Sequence, residues 1–409
     1  MRSLAGILVL LGLAWLLSEN RRKIPWRTVV GGVALQFALA LLLIWLPPAA
    51  RALLVLNRAV DALQKATDAG TAFVFGYLAG PPLPFLETHP GASFILAFQA
   101  LPLVLVISAL ASLLFHWGVL QRVLRGFAWL LRGWLGVGGA LALGAAVHVF
   151  VGMIEAPLLV RPWLARMQRG ELFALMSCGM AGIAGTVMVI YAAILGPVIP
   201  NALGNILIAS VISTPAALAI AALMVPFGPG EKEAQIVLPH APVSSLDAVV
   251  KGTADGIPVL AGIVAVLLVT VSLVSLANMV LALLPFREPV TLQWIFSLPF
   301  RPIVWLIGIP WAECTTAATL MATKTVLNEF VAYVNFSQLP QDALSDGSRL
   351  IMTYALCGFA NFGSLGILIG GLGVMVPERR HEVVALGFRS IISGTLATCT
   401  SGAVAGLLA

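Results

Sequence analysis

The chain has 409 residues, of which 60% are hydrophobic and 10% are charged, and its mean hydropathy is +1.02. These values exclude a water-soluble fold, because 17 acidic residues leave too little charge to solvate the surface of a chain this long. Soluble enzymes and nucleic-acid-binding proteins are therefore set aside. The net charge of +6 is a topology signal and not a nucleic-acid footprint, since the basic residues cluster at the ends of apolar runs.

Apolar runs of about 20 residues predict membrane-spanning helices. Eight are expected, the first as a retained helix, at residues 3–18, 28–47, 93–116, 171–196, 203–227, 257–285, 347–374 and 384–408. Two further stretches, 51–77 and 117–135, mix charged with apolar residues at helical spacing and predict amphipathic helices along the membrane interface. The fold class is therefore an all-α polytopic membrane protein.

Loops rich in Lys and Arg give the orientation. They lie at 21–27, 161–169 and 379–380 and fall on one side if the eight spans cross in turn. Basic loops lie in the cytoplasm, so both termini are expected outside it.

Two apolar segments, 137–160 and 291–335, are interrupted by Gly and Pro, and each contains an acidic residue. Irregular backbone at membrane depth is tolerated only where it is buried in protein or lines a cavity. Both segments are therefore interpreted as re-entrant hairpins that build a site at the membrane midplane. All four cysteines lie in apolar or small-residue surroundings without paired spacing, which predicts neither disulfides nor a zinc site.

The sequence also contains an internal repeat. The motif that begins at Cys178 lines up with the one at Cys357, and each follows a hairpin by a few tens of residues. The hairpins enter from opposite sides, and inverted repeats with interrupted helices are typical of secondary transporters. The predicted division is a scaffold part at 1–135, a first transport repeat at 136–227, the sixth span as scaffold at 228–288, and a second transport repeat at 289–409.

Candidate site residues follow from polar groups in apolar surroundings. Glu155 and Glu329 are functional candidates because an ionisable group inside a membrane is costly. The alternative for Glu329 is a structural ion pair with Lys324. Asn361 and Ser364 lie three residues apart on one helical face, with interhelical hydrogen bonding as their alternative.

Two carboxylates, an amide and a hydroxyl suit an uncharged, polyhydroxylated ligand. No Arg accompanies either Glu in the hairpin cores, which argues against anionic substrates. Neither a hydrolytic constellation nor a phosphate-binding loop is visible, so an enzyme is not expected.

These motifs resemble the concentrative nucleoside transporter family over nearly the whole chain. The likeness is carried by residues 152–159, 183–188, 324–333 and 357–364, most specifically by Asn-Glu-Phe-Val-Ala-Tyr at 328–333. The resemblance implies a homotrimer, embedded in lipid, whose transport domain carries the nucleoside across by an elevator movement. It also implies a set of substrate-binding residues: Glu155 on the base side, Val187 and Phe359 around the nucleoside, and Glu329, Asn361 and Ser364 on the ribose.

The chain departs from the family pattern beside the first-hairpin glutamate. Met153 and Ile154 replace the usual Gln-Thr, so side-chain hydrogen bonds to the base are missing. Either a broader range of bases or a modified nucleoside fits this apolar pair. A transporter of another ribosylated compound therefore stays open as an alternative to a nucleoside importer.

A second departure concerns the coupling ion. The resemblance implies sodium ligands at the positions of His148, Val151, Gly182 and Ile183, but His148 and Gly182 stand where an Asn and a Ser would contribute oxygens. No metal or other cofactor is therefore predicted, and proton symport is expected, with Glu155 as carrier and His148 as modulator. Sodium coupling, and a neutral core role for His148, are the alternatives.

The resulting hypothesis is a proton-coupled nucleoside importer of a bacterial inner membrane, with nucleoside, lipid and copies of the chain as partners and no nucleic acid. A membrane-embedded sensor or gated pore is the competing class. Paired hairpins would obstruct a continuous pore, which favours alternating access.

Overall fold

The computed structural model describes residues 2–86, 93–153, 155–230, 242–285 and 290–408, and these form helices and connecting loops without strands. The first third contains α1 (Arg2–Leu16), α2 (Trp26–Trp45), α3 (Pro47–Phe75), α4 (Leu96–Gln99), α5 (Leu103–His116) and α6 (Val119–Leu135). The first repeat contains α7 (Gly139–His148), α8 (Glu155–Leu159), α9 (Arg161–Leu164), α10 (Arg169–Ala181), α11 (Gly185–Leu195) and α12 (Ala202–Met224). The remainder contains α13 (Ser245–Leu281), α14 (Leu292–Leu306), α15 (Cys314–Val326), α16 (Glu329–Ser337), α17 (Asp346–Leu356), α18 (Phe362–Met375) and α19 (Arg380–Leu408).

The predicted spans are confirmed. Five helical segments of the described residues are long and apolar enough to cross a membrane: Trp26–Trp45, Leu96–His116, Ala202–Met224, Ser245–Leu281 and Pro377–Leu408. The predicted first span is the shorter apolar helix α1, and the other two predicted spans are interrupted into half-helices, α10 with α11 and α17 with α18. α13 begins at Ser245, well before the predicted start at 257, because a charged N-terminal section precedes its apolar run.

The amphipathic helices are α3 and α6. α6 begins after Gly118 (φ 72°) and ends at Gly136 (φ 69°), two left-handed positions that glycine adopts without steric cost. Leu124 and Leu131 are buried on one face of α6, while Arg125 is exposed on the other. This two-sided pattern agrees with a helix that lies along the membrane interface.

The second hairpin is shorter than predicted. The expected hairpin over 291–335 is wrong at its start, because α14 is a separate helix and α15 and α16 alone form the hairpin, at 314–337. Pro299 and Pro302, two of the Pro residues expected to interrupt the segment 291–335, lie inside α14, and the chain turns after this helix at Gly308 (φ 123°). The first hairpin consists of α7 and α8, with its tip between residues 148 and 155.

α12 and α19 form the centre of the main helical body. Both are largely buried, and α1 and α2 pack directly against them. A Cβ on Gly32 of α2 would lie 2.7 Å from the carbonyl oxygen of Pro215 in α12. Gln36 of α2 donates a hydrogen bond to the hydroxyl of Ser401 in α19 (3.1 Å). α1 and α2 are therefore joined to the two repeats.

α5 and α13 form a second closely packed pair of helices. A Cβ on Gly252 of α13 would lie 2.6 Å from the carbonyl oxygen of Ser108 in α5, and one on Gly256 would lie 3.0 Å from the Ser108 Cβ. Glycines four residues apart allow close helix approach in membranes. The rest of α13 presents exposed apolar side chains.

The predicted cytoplasmic loops meet at one end of the molecule. Glu19, in the loop after α1, accepts from Arg169 at the start of α10 (3.0 Å) and from Arg389 of α19 (3.1 Å). Arg379 pairs with Glu382 and also donates to the carbonyl oxygen of Leu164 (2.7 Å). These bonds tie the ends of both repeats and α1 together.

The bonds to Glu19 predict a pH-dependent contribution to stability. The hydrogen bond from Arg169 lowers the pKa of Glu19 below its usual value of 4.5. A lowered folded-state pKa gives a contribution that is complete above the unfolded-state pKa and disappears as the pH falls through the folded-state pKa. Glu19→Gln is expected to lower the free energy of unfolding by about 1 kcal/mol or less at pH 7, as for partly exposed pairs.

Thermal unfolding in detergent, followed by tryptophan fluorescence, measures this difference. The melting temperatures of wild type and Glu19→Gln should converge as the pH falls below 4.5. Equal melting temperatures at pH 7 would contradict the assignment.

Candidate functional site

The two interrupted helices touch at their breaks. α10 ends at Ala181 and α17 ends at Leu356, and the Phe359 amide donates to the carbonyl oxygen of Gly182 (3.2 Å). A Cβ on Gly358 would lie within 3.0 Å of the carbonyl oxygens of Met180 and Ala181, so glycine alone fits this crossing. The breaks of the two repeats thus meet in the middle of the main body.

The internal repeat is present in the structure, but the two cysteine motifs do not occupy equivalent positions relative to the helix breaks. Cys178 lies inside α10, ahead of the break, whereas Cys357 lies at the break of α17. Each repeat still consists of a hairpin, an interrupted helix and a closing helix. The sequence alignment of the two cysteines is therefore displaced by about one helical turn.

A cavity of about 450 Å³ lies between the hairpin tips, the helix breaks and α13. Seven of the eight predicted substrate residues line it: Met153, Glu155, Val187, Glu329, Phe359, Asn361 and Ser364. The eighth, Ile154, lies outside the described residues. The opposite wall is apolar and comes from Leu101 and from α13, at Pro258, Val259, Gly262, Ile263, Val266 and Leu267.

Glu329 is the buried acidic group of this cavity. It is the first residue of α16, whose N-terminus is capped by the Asn328 side chain accepting from the Val331 amide (2.9 Å). One carboxylate oxygen accepts from the Tyr191 hydroxyl (2.7 Å), and the other accepts from the Asn361 amide (2.8 Å). The positive end of the helix dipole also favours a carboxylate here.

Asn361 serves two structures at once. Its side-chain oxygen accepts from the Ser364 amide (2.7 Å) and so caps α18, while its NH2 group donates to Glu329. Interhelical hydrogen bonding, the alternative role of Asn361, is therefore present. The acceptor of this bond is Glu329, which lines the candidate site. The alternative for Glu329 is absent, because among the described residues no ion pair joins it to Lys324.

Glu155 differs from expectation in its environment. It is exposed, not buried, and its carboxyl group folds back over the hairpin tip, so that a Cβ on Gly152 would lie 3.0 Å from its Cδ. The described part of the hairpin tip, residues 149–153, forms turns and bends, and Glu155 at the start of α8 lines the cavity. Glu155 and Glu329 thus present an accessible and a buried carboxyl group to the same cavity.

The four residues at the positions where the resemblance implies sodium ligands, His148, Val151, Gly182 and Ile183, carry no side-chain oxygen. His148 is 3% exposed, and its Nε2 atom has no hydrogen-bond partner among the described residues. A Cβ on Gly182 would lie 3.5 Å from the His148 carbonyl oxygen and 3.7 Å from the Ser210 hydroxyl. Val151 and Ile183 contribute no side-chain oxygen. Oxygen ligands for a hard cation would therefore have to come from backbone carbonyl groups or from neighbouring side chains.

Tyr191 was missed by sequence reasoning. It is 2% exposed, lines the cavity, and packs its ring against Tyr333 (5.0 Å between centroids) and Phe330 (6.0 Å). The available signal was a tyrosine inside an apolar run, because a buried phenol needs a hydrogen-bond partner. Its partner, Glu329, belongs to the other repeat and is distant in sequence.

Three family models match the chain. They are described as "Na+ dependent nucleoside transporter N-terminus" over residues 5–78, "Nucleoside recognition" over 97–198 and "Na+ dependent nucleoside transporter C-terminus" over 205–406.

Known proteins match along nearly the whole chain. It is 38% identical to an "Uncharacterized transporter" of Haemophilus influenzae, over 99% of this chain and 97% of that protein. It is 34% identical to the "Putative nucleoside permease NupX" of Escherichia coli, over 99% and 98%. It is also 34% identical to "Solute carrier family 28 member 3" of Mus musculus, over 99% of this chain and 58% of that protein.

The fold matches solved structures equally well. The structure of CNTnw in an inward-facing, substrate-bound state has a TM-score of 0.90 and 34% identity, covering 100% of this chain and 98% of that one. A CNTnw double variant in an outward-facing state also has a TM-score of 0.90. The chain therefore belongs to the concentrative nucleoside transporter family, whose members are transporters and not enzymes.

Proposed function

We propose that this protein imports nucleosides by proton symport across a bacterial inner membrane. The observation that carries the proposal is the buried carboxylate of Glu329, oriented by Tyr191 and Asn361 in a cavity of about 450 Å³. The permease-type bacterial relatives support the inner-membrane location.

The ribose is proposed to bind at Glu329. Each carboxylate oxygen accepts one hydrogen bond from the protein and retains further lone-pair capacity for a ribose hydroxyl. The Asn361 amide and the Ser364 hydroxyl lie beside it at the start of α18. Hydrogen bonds to a charged acceptor are stronger than neutral ones, so the ribose should supply much of the affinity.

The base is proposed to bind among apolar side chains. Met153, Val187 and Phe359 belong to the main body, and Val259 and Ile263 of α13 face them across the cavity. Such a wall recognises shape and stacking more than base edges, so uridine and adenosine should both bind. The same wall favours the second candidate, a modified nucleoside or another ribosylated compound, because Met153 offers no hydrogen bond to a standard base.

Transport is proposed to proceed by an elevator movement. The packing supports a moving body that contains both repeats together with α1 and α2, and a static body built around α5 and α13. This division assigns the first two spans to the moving part, unlike the division proposed from the sequence. CNTnw structures in inward-facing and outward-facing states support alternating access. The exposed apolar face of α13 suits lipid or the other subunits of a homotrimer.

Proton coupling is proposed because the sodium-ligand positions lack side-chain oxygens. Glu155 is the proposed carrier, since it is exposed and also lines the cavity, so its carboxyl group can exchange a proton with water. His148 is the proposed modulator beside the break of α10. The family description as sodium-dependent keeps sodium symport as the alternative.

Uptake of radiolabelled uridine and adenosine into proteoliposomes tests the proposal. An inward proton gradient alone should drive accumulation, and a sodium gradient alone should not. Glu155→Gln should abolish proton-driven accumulation, because the amide cannot carry the proton. Glu313→Gln is the matched control, since Glu313 is bound to Ser345 (3.1 Å) and does not line the cavity.

Sodium-driven accumulation by the wild type would contradict proton coupling, and fully proton-driven accumulation by Glu155→Gln would contradict the carrier assignment. The double variant His148→Asn, Gly182→Ser restores two side-chain ligands of the family pattern. A serine fits at 182, because the contacts of its Cβ, at 3.5 Å and beyond, are ordinary van der Waals distances. This variant should gain sodium-driven uptake.

The orienting bond from Tyr191 predicts a loss of affinity on its removal. Tyr191→Phe keeps the ring packing but leaves one Glu329 oxygen without its donor, which should raise the uridine Kd about tenfold, as expected for a bond to a charged group. Isothermal titration calorimetry measures the change. Tyr354→Phe removes a buried hydroxyl outside the cavity and should leave Kd unchanged. Equal effects of both variants would contradict the role of Tyr191.

A further inference from the structure

Lys324 is a buried cation that the proposed transport cycle does not use. Its side chain is 0% exposed, and its Nζ atom donates to the carbonyl oxygen of Ala355 (2.9 Å) and to the hydroxyl oxygen of Thr398 (3.1 Å). Among the described residues no ion pair joins it to a carboxylate. Burial of an ammonium group without a paired carboxylate costs free energy, so the groups that bind it must offset that cost.

The break of α17 explains the bond to Ala355. The helix ends at Leu356, which leaves its last carbonyl groups without donors from a following turn. The Phe359 amide, which a continuous helix would direct to the Ala355 oxygen, donates to Gly182 instead. The Lys324 ammonium takes its place, at the helix end where the dipole favours positive charge.

The third group of this arrangement comes from the closing helix of the repeat. Thr398 of α19 accepts from Lys324 and donates in turn to the carbonyl oxygen of Thr395 (3.1 Å). Lys324 lies in α15, the first helix of the second hairpin. It therefore connects this helix to the end of α17 and to α19.

The first repeat contains the same arrangement with different groups. α7 ends with His148, which lies against Gly179 near the end of α10 (3.1 Å from the ring Cε1 to a Cβ built there), and α12 supplies Ser210. Here the Nε2 of His148 and the hydroxyl of Ser210 are both buried, and neither has a hydrogen-bond partner in the part of the chain that the structure describes. The second repeat thus holds a hydrogen-bonded ammonium where the first holds an imidazole and a hydroxyl.

We propose that the ammonium group of Lys324 holds the end of α17 in the second repeat. By doing so it positions Phe359 and Asn361 for the substrate. It is a positioning residue, since it acts through residues 357–361 and does not line the cavity. The expected effect of Lys324 on nucleoside affinity rests on the proposed function, but its expected effect on the backbone of residues 357–361 does not.

Two measurements on Lys324→Met test the inference. Hydrogen exchange of the backbone amides at 357–361, in protein without nucleoside, should accelerate at least tenfold. The uridine Kd from calorimetry should rise by a similar factor, while proton dependence of the remaining uptake persists. Lys65→Met is the matched control, because Lys65 is exposed on α3. Unchanged exchange at 357–361 in Lys324→Met would overturn the inference.

Chemical rescue separates positioning from a general loss of structure. Lys324→Ala leaves room for n-propylammonium, which should restore slow exchange and uridine affinity, whereas tetramethylammonium cannot donate hydrogen bonds and should not. Equal rescue by both cations, or by neither, would overturn the inference.

A milder variant covers the case in which neither substitution of Lys324 folds. Thr398→Val removes one acceptor and should accelerate exchange at 357–361 about threefold, and unchanged exchange would overturn the inference. Absence of uridine binding by the wild type would contradict the proposed function alone, since the exchange measurement needs no nucleoside.

Discussion

The two hydrogen bonds to Glu329 are the constraint on which the site depends. Tyr191 belongs to the first repeat and Asn361 to the second. The carboxylate therefore keeps both hydrogen bonds only when the two repeats pack against each other in this arrangement. A charged group at membrane depth is retained only where it is paired or hydrogen-bonded. The same two partners that stabilise the carboxylate also line the cavity with it. These two hydrogen bonds therefore serve the packing of the main body and, in the proposed function, the recognition of a hydroxylated ligand.

Interrupted helices create the polar groups that the site uses. In a continuous helix every carbonyl and amide is satisfied internally, and a membrane offers no water to the rest. Each break therefore needs a partner: Asn361 caps α18, Lys324 caps α17, and the two breaks bond to each other through Phe359 and Gly182. Inversion brings the breaks of both repeats to one place. The candidate cavity lies where these breaks meet, and residues of α13 line its opposite wall.

The spans and the cavity positions of Glu155 and Glu329 could be predicted from the sequence, because apolar runs and isolated carboxyl groups are local signals. The proposed roles of Val187 and Phe359 came from the family resemblance instead. Predictions from the sequence failed where a feature depends on packing between distant parts of the chain. Pro299 and Pro302 resemble helix breaks in sequence but are accommodated in α14. Tyr191 gives no sign of its partner, because Glu329 lies in another repeat. The exposure of Glu155 follows from the shape of a hairpin tip that no periodicity encodes.

The most direct test of the central claim compares uridine with 2′,3′-dideoxyuridine in calorimetric titrations of the wild-type protein. The two ligands share the base and differ in the hydroxyl groups that Glu329 is proposed to accept. Loss of two hydrogen bonds to a charged group should weaken binding of the dideoxynucleoside at least a hundredfold. Equal affinities would contradict the account, because the oriented carboxylate would then not be the group that recognises the ligand.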